Sequence, residues 1–407
     1  MYSLAIALYA FAVRLVAPFH KKARLMTQGQ RKTFSILREK IIPDAKYIWF
    51  HAASLGEFEQ GRPLIEKIRK EQPEYKILLT FFSPSGYEVK KDYDGADIVC
   101  YLPFDFFRNA TRFLDLAHPE IAIFIKYEFW MNYLTQLKKR NIPTYIISAI
   151  FRPNQIFFRW YGNGYKKVLK TFKWLFVQDK NSLELLKKNN IHNVTISGDT
   201  RFDRVYEILN QNKKLPLVEK FVSQNNKDIT LVAGSTWSKD EEIIISYFNQ
   251  NPDLKLVIAS HELGETRISE IISRLERPYA LYSKATESEV ENVDCLIIDC
   301  YGLLSTIYRY GQIAYIGGGF GVGIHNVLEA AVYGIPVLFG PNYKRFKEAR
   351  DLILRGGAFS ISTETAFNGR VNEMLAYKQL REQYGKSAKD YIEINLGATQ
   401  IIYEKIF

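Results

Sequence analysis

Short apolar runs alternate with segments of helical periodicity along almost the whole chain. The runs YIWFHA (47–52), KILLTFF (76–82), IVCYL (98–102), IAIFIK (121–126), TYIISA (144–149), WLFVQ (174–178) and VTISG (194–198) predict strands. Between them, Gly61–Glu71, Phe106–Ala117 and Glu128–Arg140 predict helices. Strands that are apolar at consecutive positions and separated by helices belong to a parallel sheet covered on both faces. A polar stretch at 209–228 interrupts the alternation and reads as a linker. The pattern resumes with ITLVAGS (229–235), LKLVIAS (254–260), DCLIID (294–299), IAYIGGG (313–319) and PVLFG (336–340). The expected fold class is α/β, with two doubly wound Rossmann-like domains facing a central cleft. The first covers 20–208 and the second 229–390, with a C-terminal helix over 391–407. In such sheets ligands bind at the carboxyl ends of the strands.

Residues 1–19 stand outside this pattern, with Arg14 as their only charge. At about 1.5 Å per residue, such a helix barely crosses a hydrocarbon core of roughly 30 Å. Residues 20–40 then carry seven basic side chains (Lys21, Lys22, Arg24, Arg31, Lys32, Arg38 and Lys40) against Glu39. By the positive-inside rule the chain that follows stays in the cytoplasm. A membrane-associated helix is expected, either as a short anchor or lying in the interface; a buried first helix is the alternative. A second basic block, 151–174, holds six Lys/Arg, eight aromatics and no acid. It fits single-stranded nucleic acid, a lipid headgroup surface, or a solvated helix face with its aromatics in the core.

Composition narrows the classes further. The chain has 407 residues, of which 47% are apolar and 24% charged, an ordinary globular balance. That excludes a disordered chain and a multi-span membrane protein. Three cysteines without C-x-x-C spacing make no disulfide framework and point to a reducing compartment. A formal charge of +11 asks for an anionic partner: nucleic acid, phospholipid or a phosphorylated substrate.

Four segments carry candidate chemistry. In HAASLGEFEQGRPLIEKIR (51–69), Glu57 lies on the loop after a strand, close to a helix start near Gly56 or Glu57. A first-turn acid favoured by the helix dipole is the plainer reading of it. Glu128 in IKYEFWMN and Arg201 in SGDTRFDRV occupy the same topological position after other strands. Two acids and an arginine at one sheet edge make an acid/base and anion site. In IAYIGGGFGVGIHNVLEAAVYGIPVLFGP (313–341), a strand runs into a glycine loop that opens a helix at about His325–Asn326, with Glu329 one turn further on. Such a helix start attracts phosphate, and a carboxylate there can accept from ribose hydroxyls; the alternative is a loop whose glycines serve packing. The spacing is neither the Rossmann fingerprint nor a P-loop. No G-x-S-x-G or H-E-x-x-H occurs, and the six histidines (His20, His51, His118, His192, His261, His325) lack ligand spacing. Asp92-Tyr93-Asp94 has the D-x-D form of metal-dependent sugar transferases but sits in a polar stretch before a strand. No metal and no cofactor are expected.

Taken in order, HAASLGE, TFFSPSGYE, YLPFDF, YEFW, SGDTRFD and GGGFGVGIHNVLEAAVYGIPVLFGP resemble the Kdo (3-deoxy-D-manno-octulosonic acid) transferases of lipopolysaccharide synthesis, which are GT-B glycosyltransferases. The resemblance implies an inverting transfer of Kdo from CMP-Kdo to a sugar hydroxyl of the phosphorylated lipid A precursor, lipid IVA, with release of CMP, at the cytoplasmic side of the bacterial inner membrane. It implies Glu57 as general base and Glu128 as stabiliser of the transition state. Arg201 stands where the family has lysine, and the two cations are not equivalent in a close contact. The implied CMP site comprises Asn326, Val327, Leu328 and Glu329 with Tyr301, Gly302 and Leu303, and a further loop with Ala259, Ser260 and His261. Leu303 replaces an acid of the family pattern, and Ala259 and Ser260 replace a Pro-Arg pair. A single phosphate on the leaving nucleotide is served by a helix start and one cation, with no metal. A GT-B enzyme using a UDP-sugar on a lipid acceptor is the alternative. A membrane-attached RNA-binding protein would leave the glycine loop and Glu57 without a purpose, so no nucleic-acid partner is expected.

Overall fold

The computed structural model describes residues 2–223 and 229–407. The chain divides into two compact units, Met1–Arg204 with Leu396–Phe407, and Val205–Asn395. In the first, seven strands form one sheet: β1 (Lys46–Ala52), β2 (Tyr75–Phe81), β3 (Ile98–Tyr101), β4 (Ile121–Ile125), β5 (Thr144–Ala149), β6 (Trp174–Val177) and β7 (Val194–Ile196). Their order is β3-β2-β1-β4-β5-β6-β7, and each neighbouring pair is parallel. Successive side chains of a strand point to opposite faces, so each strand feeds two cores. Tyr47 and Trp49 join Ala122 and Phe124 in one of them. Ile48, Phe50 and Ala52 join Ile121, Ile123 and Ile125 in the other. That double burial is why the strands read as unbroken apolar runs. The strand order reverses direction between β1 and β4, and this switch point is where an open α/β sheet opens a crevice for ligands.

The second unit repeats the plan with β8 (Ile229–Thr236), β9 (Leu254–Ser260), β10 (Tyr279–Leu281), β11 (Cys295–Ile297), β12 (Ile313–Ile316), β13 (Val337–Phe339) and β14 (Ala358–Ser360). The order is β10-β11-β9-β8-β12-β13-β14, again parallel throughout, with its reversal between β8 and β12. The sequence pattern missed β10 and β14. Both are three-residue strands at the sheet edges, too short to show an apolar period.

Several expected boundaries differ. The stretch 209–228 is not a plain linker, because Pro216–Val222 is a helix that buries Val218 and Phe221; residues 224–228 lie outside the described residues. Residues 391–393 finish the helix Lys378–Glu393, and the last helix is Ala398–Ile406. That last helix belongs to the first unit. Ile402 sits in the core of Ile48 and Phe50, and Tyr403 Oη accepts from Gln72 Nε2 at 2.7 Å. Asp203 fixes its start by accepting from the backbone N–H of Gly397 (2.7 Å) and of Thr399 (2.6 Å).

The N-terminal apolar run forms α1 (Tyr2–Val16), fifteen residues rather than nineteen, and the basic run forms α2 (Lys21–Lys40), bent from it by 116°. Among the described residues no single helix is long and apolar enough to cross a membrane. One side of α1 packs on the unit: Ala10 is buried with Met26, Tyr101 and Phe104, flanked by Ile6 and Val13. The other side presents Leu4, Leu8, Phe11 and Leu15, each between 62% and 65% exposed. Those four positions form one helical stripe.

Candidate active site

The carboxyl ends of β1 and β4, side by side at the switch point, carry both acids named from the sequence. Beyond β1, Ser54 is extended and α3 (Leu55–Glu71) begins, which puts Glu57 in its first turn. The Ser54 hydroxyl donates to Glu57 Oε2, and Lys126 Nζ lies 3.7 Å from Oε1. Lys126 follows β4 directly with φ 71°, a left-handed conformation that a lysine adopts only under constraint. The bend turns its chain at the strand end, two residues before Glu128.

Glu128 is the buried member. Its Oε2 accepts from Trp130 Nε1 at 2.6 Å and lies 3.0 Å from His51 Nε2. Among the described residues no donor meets Oε1. His51, in β1, is fully buried, and its Nδ1 is 2.9 Å from Thr80 Oγ1 in β2. Thr80 Oγ1 in turn accepts from Trp49 Nε1 at 2.8 Å. His51 on β1, backed by Thr80 on β2, and Trp130 beyond β4 therefore fix one oxygen of the carboxylate. His51, Lys126 and Trp130 were not singled out from the sequence. A polar residue closing the apolar strand KYIWFHA was the available signal for His51, since a buried polar side chain needs a partner. For Lys126 and Trp130 only the fold reveals the role.

Arg201 lies past β7, in the first turn of the helix Thr200–Asn210. Its Nε and Nη2 donate to Asp199 Oδ2 at 2.9 and 2.7 Å. The neighbouring Thr200 hydroxyl donates to the carbonyl of Gln60, so this helix start is tied to α3 about one turn beyond Glu57. In the D-x-D segment, Tyr93 packs edge-on to Phe58 and donates to Glu66 at 3.4 Å. No group of three or more His, Cys, Asp or Glu arranged to hold a metal occurs among the described residues.

In the second unit the named residues lie past three strands: 259–261 at the end of β9, 301–303 after β11 and 326–329 after β12. Ala259 and Ser260 close β9, and the His261 N–H donates to the Thr236 carbonyl at 3.0 Å. The His261 ring stacks on Trp237 (4.7 Å between centroids) and meets His325 at 4.5 Å. His325 Nε2 accepts from Trp237 Nε1 at 3.3 Å. The glycine loop differs from expectation. A Cβ on Gly319 would meet the Gly340 backbone at 2.5 Å. One on Gly318, whose φ is +90°, would meet the Gly323 carbonyl at 2.5 Å. The glycines at 317–319 thus let main chains touch each other, the packing alternative raised by the sequence. Asp240 anchors their start, accepting from the Gly318 N–H at 2.9 Å and the Tyr315 hydroxyl at 2.7 Å.

The helix expected at His325–Asn326 begins only at Leu328 and ends at Ala331. The loop is held closed ahead of it, with the His325 N–H donating to the Gly317 carbonyl at 3.2 Å. Asn326 caps the short helix: its Oδ1 accepts from the Leu328 N–H at 3.2 Å, and its Nδ2 donates to Glu329 Oε1 at 3.0 Å. Val327 and Leu328 are fully buried. Tyr301 is 79% exposed, Gly302 has φ +87°, and Leu303 precedes the helix Leu304–Ile307.

Burial, and then the neighbouring His261, hold His325 down at about 4. Unfolded, it titrates near 6.5. Between those values the unfolded chain binds more protons, so stability falls as pH falls through that window. The thermal midpoint is expected to drop between pH 7 and pH 5, and to drop less in His325→Gln. Equal losses in the two proteins would remove His325 from this account.

Two parallel α/β units of this kind define the GT-B class of fold. The solved UDP-GlcNAc 2-epimerase from Neisseria meningitidis superposes with a TM-score of 0.62 at 16% identity, covering 88% of this chain and 99% of that one; at that identity the likeness concerns the fold alone. Residues 22–204 match the family described as 3-deoxy-D-manno-octulosonic-acid transferase. Relatives named 3-deoxy-D-manno-octulosonic acid transferase include that of Aquifex aeolicus, 28% identical over 82% of this chain and 87% of its own. That of Haemophilus influenzae is 28% identical over 88% and 86%. The chain is a glycosyltransferase, similar to the Kdo transferases over most of its length and to that family's domain within its first unit.

Proposed function

We propose that this enzyme transfers Kdo from CMP-Kdo to a sugar hydroxyl of a phosphorylated lipid A precursor, lipid IVA, with inversion at the anomeric carbon. The observation that carries the reading is the placement of Glu57 and Glu128 just past the adjacent strands β1 and β4 at the switch point of the first sheet. Glu57, with Lys126 Nζ 3.7 Å away, takes the proton from the acceptor hydroxyl. The hydroxyl oxygen bonds to the anomeric carbon of Kdo as the bond from that carbon to the phosphate oxygen of CMP breaks, and CMP leaves with the electron pair. Glu128, through Oε1, stabilises the positive charge that develops on the sugar. A carboxylate held by fixed donors needs no reorganisation at that moment.

The second unit binds the nucleotide in this reading. Glu329 accepts from ribose hydroxyls, with Asn326 setting its orientation, and the 301–303 and 259–261 segments complete the site. Arg201 supplies a cation to the leaving phosphate or to the acid group of Kdo. The test is calorimetric. Glu329→Ala is expected to weaken CMP roughly ten- to a hundred-fold, the scale of a hydrogen bond to a charged group, while Glu57→Ala leaves CMP affinity unchanged. Equal CMP affinity in wild type and Glu329→Ala would rule out the ribose contact, and tighter binding of UDP than CMP would favour the UDP-sugar reading.

The same reading places the enzyme on the cytoplasmic face of the inner membrane, with α1 lying in the interface. What supports this is α1 itself. At fifteen residues it reaches about 22 Å, short of a core of roughly 30 Å. Its exposed stripe of Leu4, Leu8, Phe11 and Leu15 has no partner in the described chain, and basic α2 follows it.

A further inference from the structure

We propose that α1 has a second task besides docking: through Tyr2 and Phe82 it positions the Glu128 loop. This rests on the reading that Glu128 acts in the transfer. Two lines of contact run from the inward side of α1 to that loop. In the first, the Tyr2 hydroxyl donates to Asp105 Oδ2 at 2.5 Å and accepts from the Met131 N–H at 3.3 Å. Asp105 is fully buried and also accepts from the N–H of Asn132 (3.0 Å) and of Tyr133 (3.0 Å). These are the first N–H groups of the helix Met131–Lys139, which otherwise lack partners at a helix start. The carboxylate of Asp105 caps that helix from a distant loop, and Tyr2 closes the cap. The helix starts three residues after Glu128, so its first turn sets where the 126–130 segment ends.

The second line is aromatic. Tyr9 stacks on Phe82 with ring centroids 6.3 Å apart, and Phe82 packs on Trp130 at 4.7 Å. Trp130 is the residue whose indole N–H holds Glu128 Oε2. Phe82 is thus the wedge between α1 and the donor that aims the carboxylate. None of these contacts uses Leu4, Leu8, Phe11 or Leu15. Docking and positioning occupy opposite sides of one helix and are separable by substitution. Tyr2 and Phe82 are positioning residues, acting on the reaction only through Asp105, Trp130 and Glu128.

Catalytic geometry is sensitive to this kind of support, because displacing a reacting group by about 1 Å costs on the order of a hundred-fold in rate. The experiment uses the full-length enzyme with CMP-Kdo and a lipid A precursor in detergent micelles, together with flotation on anionic vesicles. Tyr2→Phe and Phe82→Ala are expected to lower kcat roughly ten- to a hundred-fold, with KM for CMP-Kdo and vesicle flotation unchanged. Phe82→Tyr, which keeps the ring, is expected to restore kcat. The double variant Leu8→Ser with Phe11→Ser should show the reverse, normal kcat in micelles and flotation lost in high salt. Wild-type kcat in Tyr2→Phe and Phe82→Ala, with Glu128→Gln inactive, would overturn the positioning role and leave the role of Glu128 standing. A kcat loss that Phe82→Tyr fails to restore would also overturn it. Full turnover in Glu128→Gln would instead remove the reading beneath both.

Discussion

Glu57→Ala is expected to lower kcat by roughly 10²–10⁴-fold, the usual contribution of a general base, with CMP affinity unchanged. The argument starts from where the residue sits. The first turn of α3 places its carboxylate beyond the end of β1, at the switch point of the sheet and beside β4. Ser54 donates to one of its oxygens, and Lys126 Nζ lies 3.7 Å from the other. A first-turn acid that served only the helix dipole would contribute about 0.3–1 kcal/mol to stability, and its loss would leave turnover near normal. The two roles thus predict different readouts from one substitution: a melting midpoint shifted by a degree or so, or turnover lost by orders of magnitude. Rate measurement at saturating CMP-Kdo and acceptor decides between them. Glu57→Gln sharpens the comparison, since it keeps the hydrogen bond from Ser54 but cannot take a proton. It should be as inactive as the alanine variant.

Replacing Leu8 and Phe11 by serine is expected to weaken attachment to anionic vesicles by at least roughly thirty-fold, and to make what remains sensitive to salt. Both side chains are about two-thirds exposed on the outer stripe of α1. At about 25 cal/mol per Å² of apolar surface, each contributes about 1 kcal/mol or more on entering the interface. That part of the attachment ignores ionic strength. The basic residues of α2 contribute up to about 1 kcal/mol each near an anionic leaflet, and salt screens this within a Debye length of about 8 Å. Wild type should therefore stay on vesicles in high salt, and the double variant should leave them. Flotation of both proteins at low and high salt measures the two contributions separately. If wild type also leaves the vesicles in high salt, the stripe is an ordinary exposed surface and the interfacial placement of α1 is wrong.

The strands that position the site were legible because both faces of each sheet are buried, which writes unbroken apolar runs into the sequence. Edge strands β10 and β14 escaped for the opposite reason, being three residues long and partly exposed. Glu57 and Glu128 were legible as acids just past apolar strands. Their supports were not. His51 comes from β1, Trp130 from beyond β4 and Thr80 from β2, and only the strand order brings the three together. The glycine pattern fits an approach surface for phosphate, and its first glycines also let main chains touch, a use that no local pattern distinguishes. The N-terminal run showed its apolar character but not its two-sidedness, because its inner positions Ile6, Ala10 and Val13 are as apolar as its outer stripe.

The most direct test of the central claim is to incubate the full-length enzyme with CMP-Kdo and a lipid A precursor and to weigh the lipid by mass spectrometry. The account predicts a lipid heavier by whole Kdo residues, with one CMP released for each. A lipid of unchanged mass in the presence of CMP-Kdo, or one that gains a sugar only from a UDP donor, would contradict it.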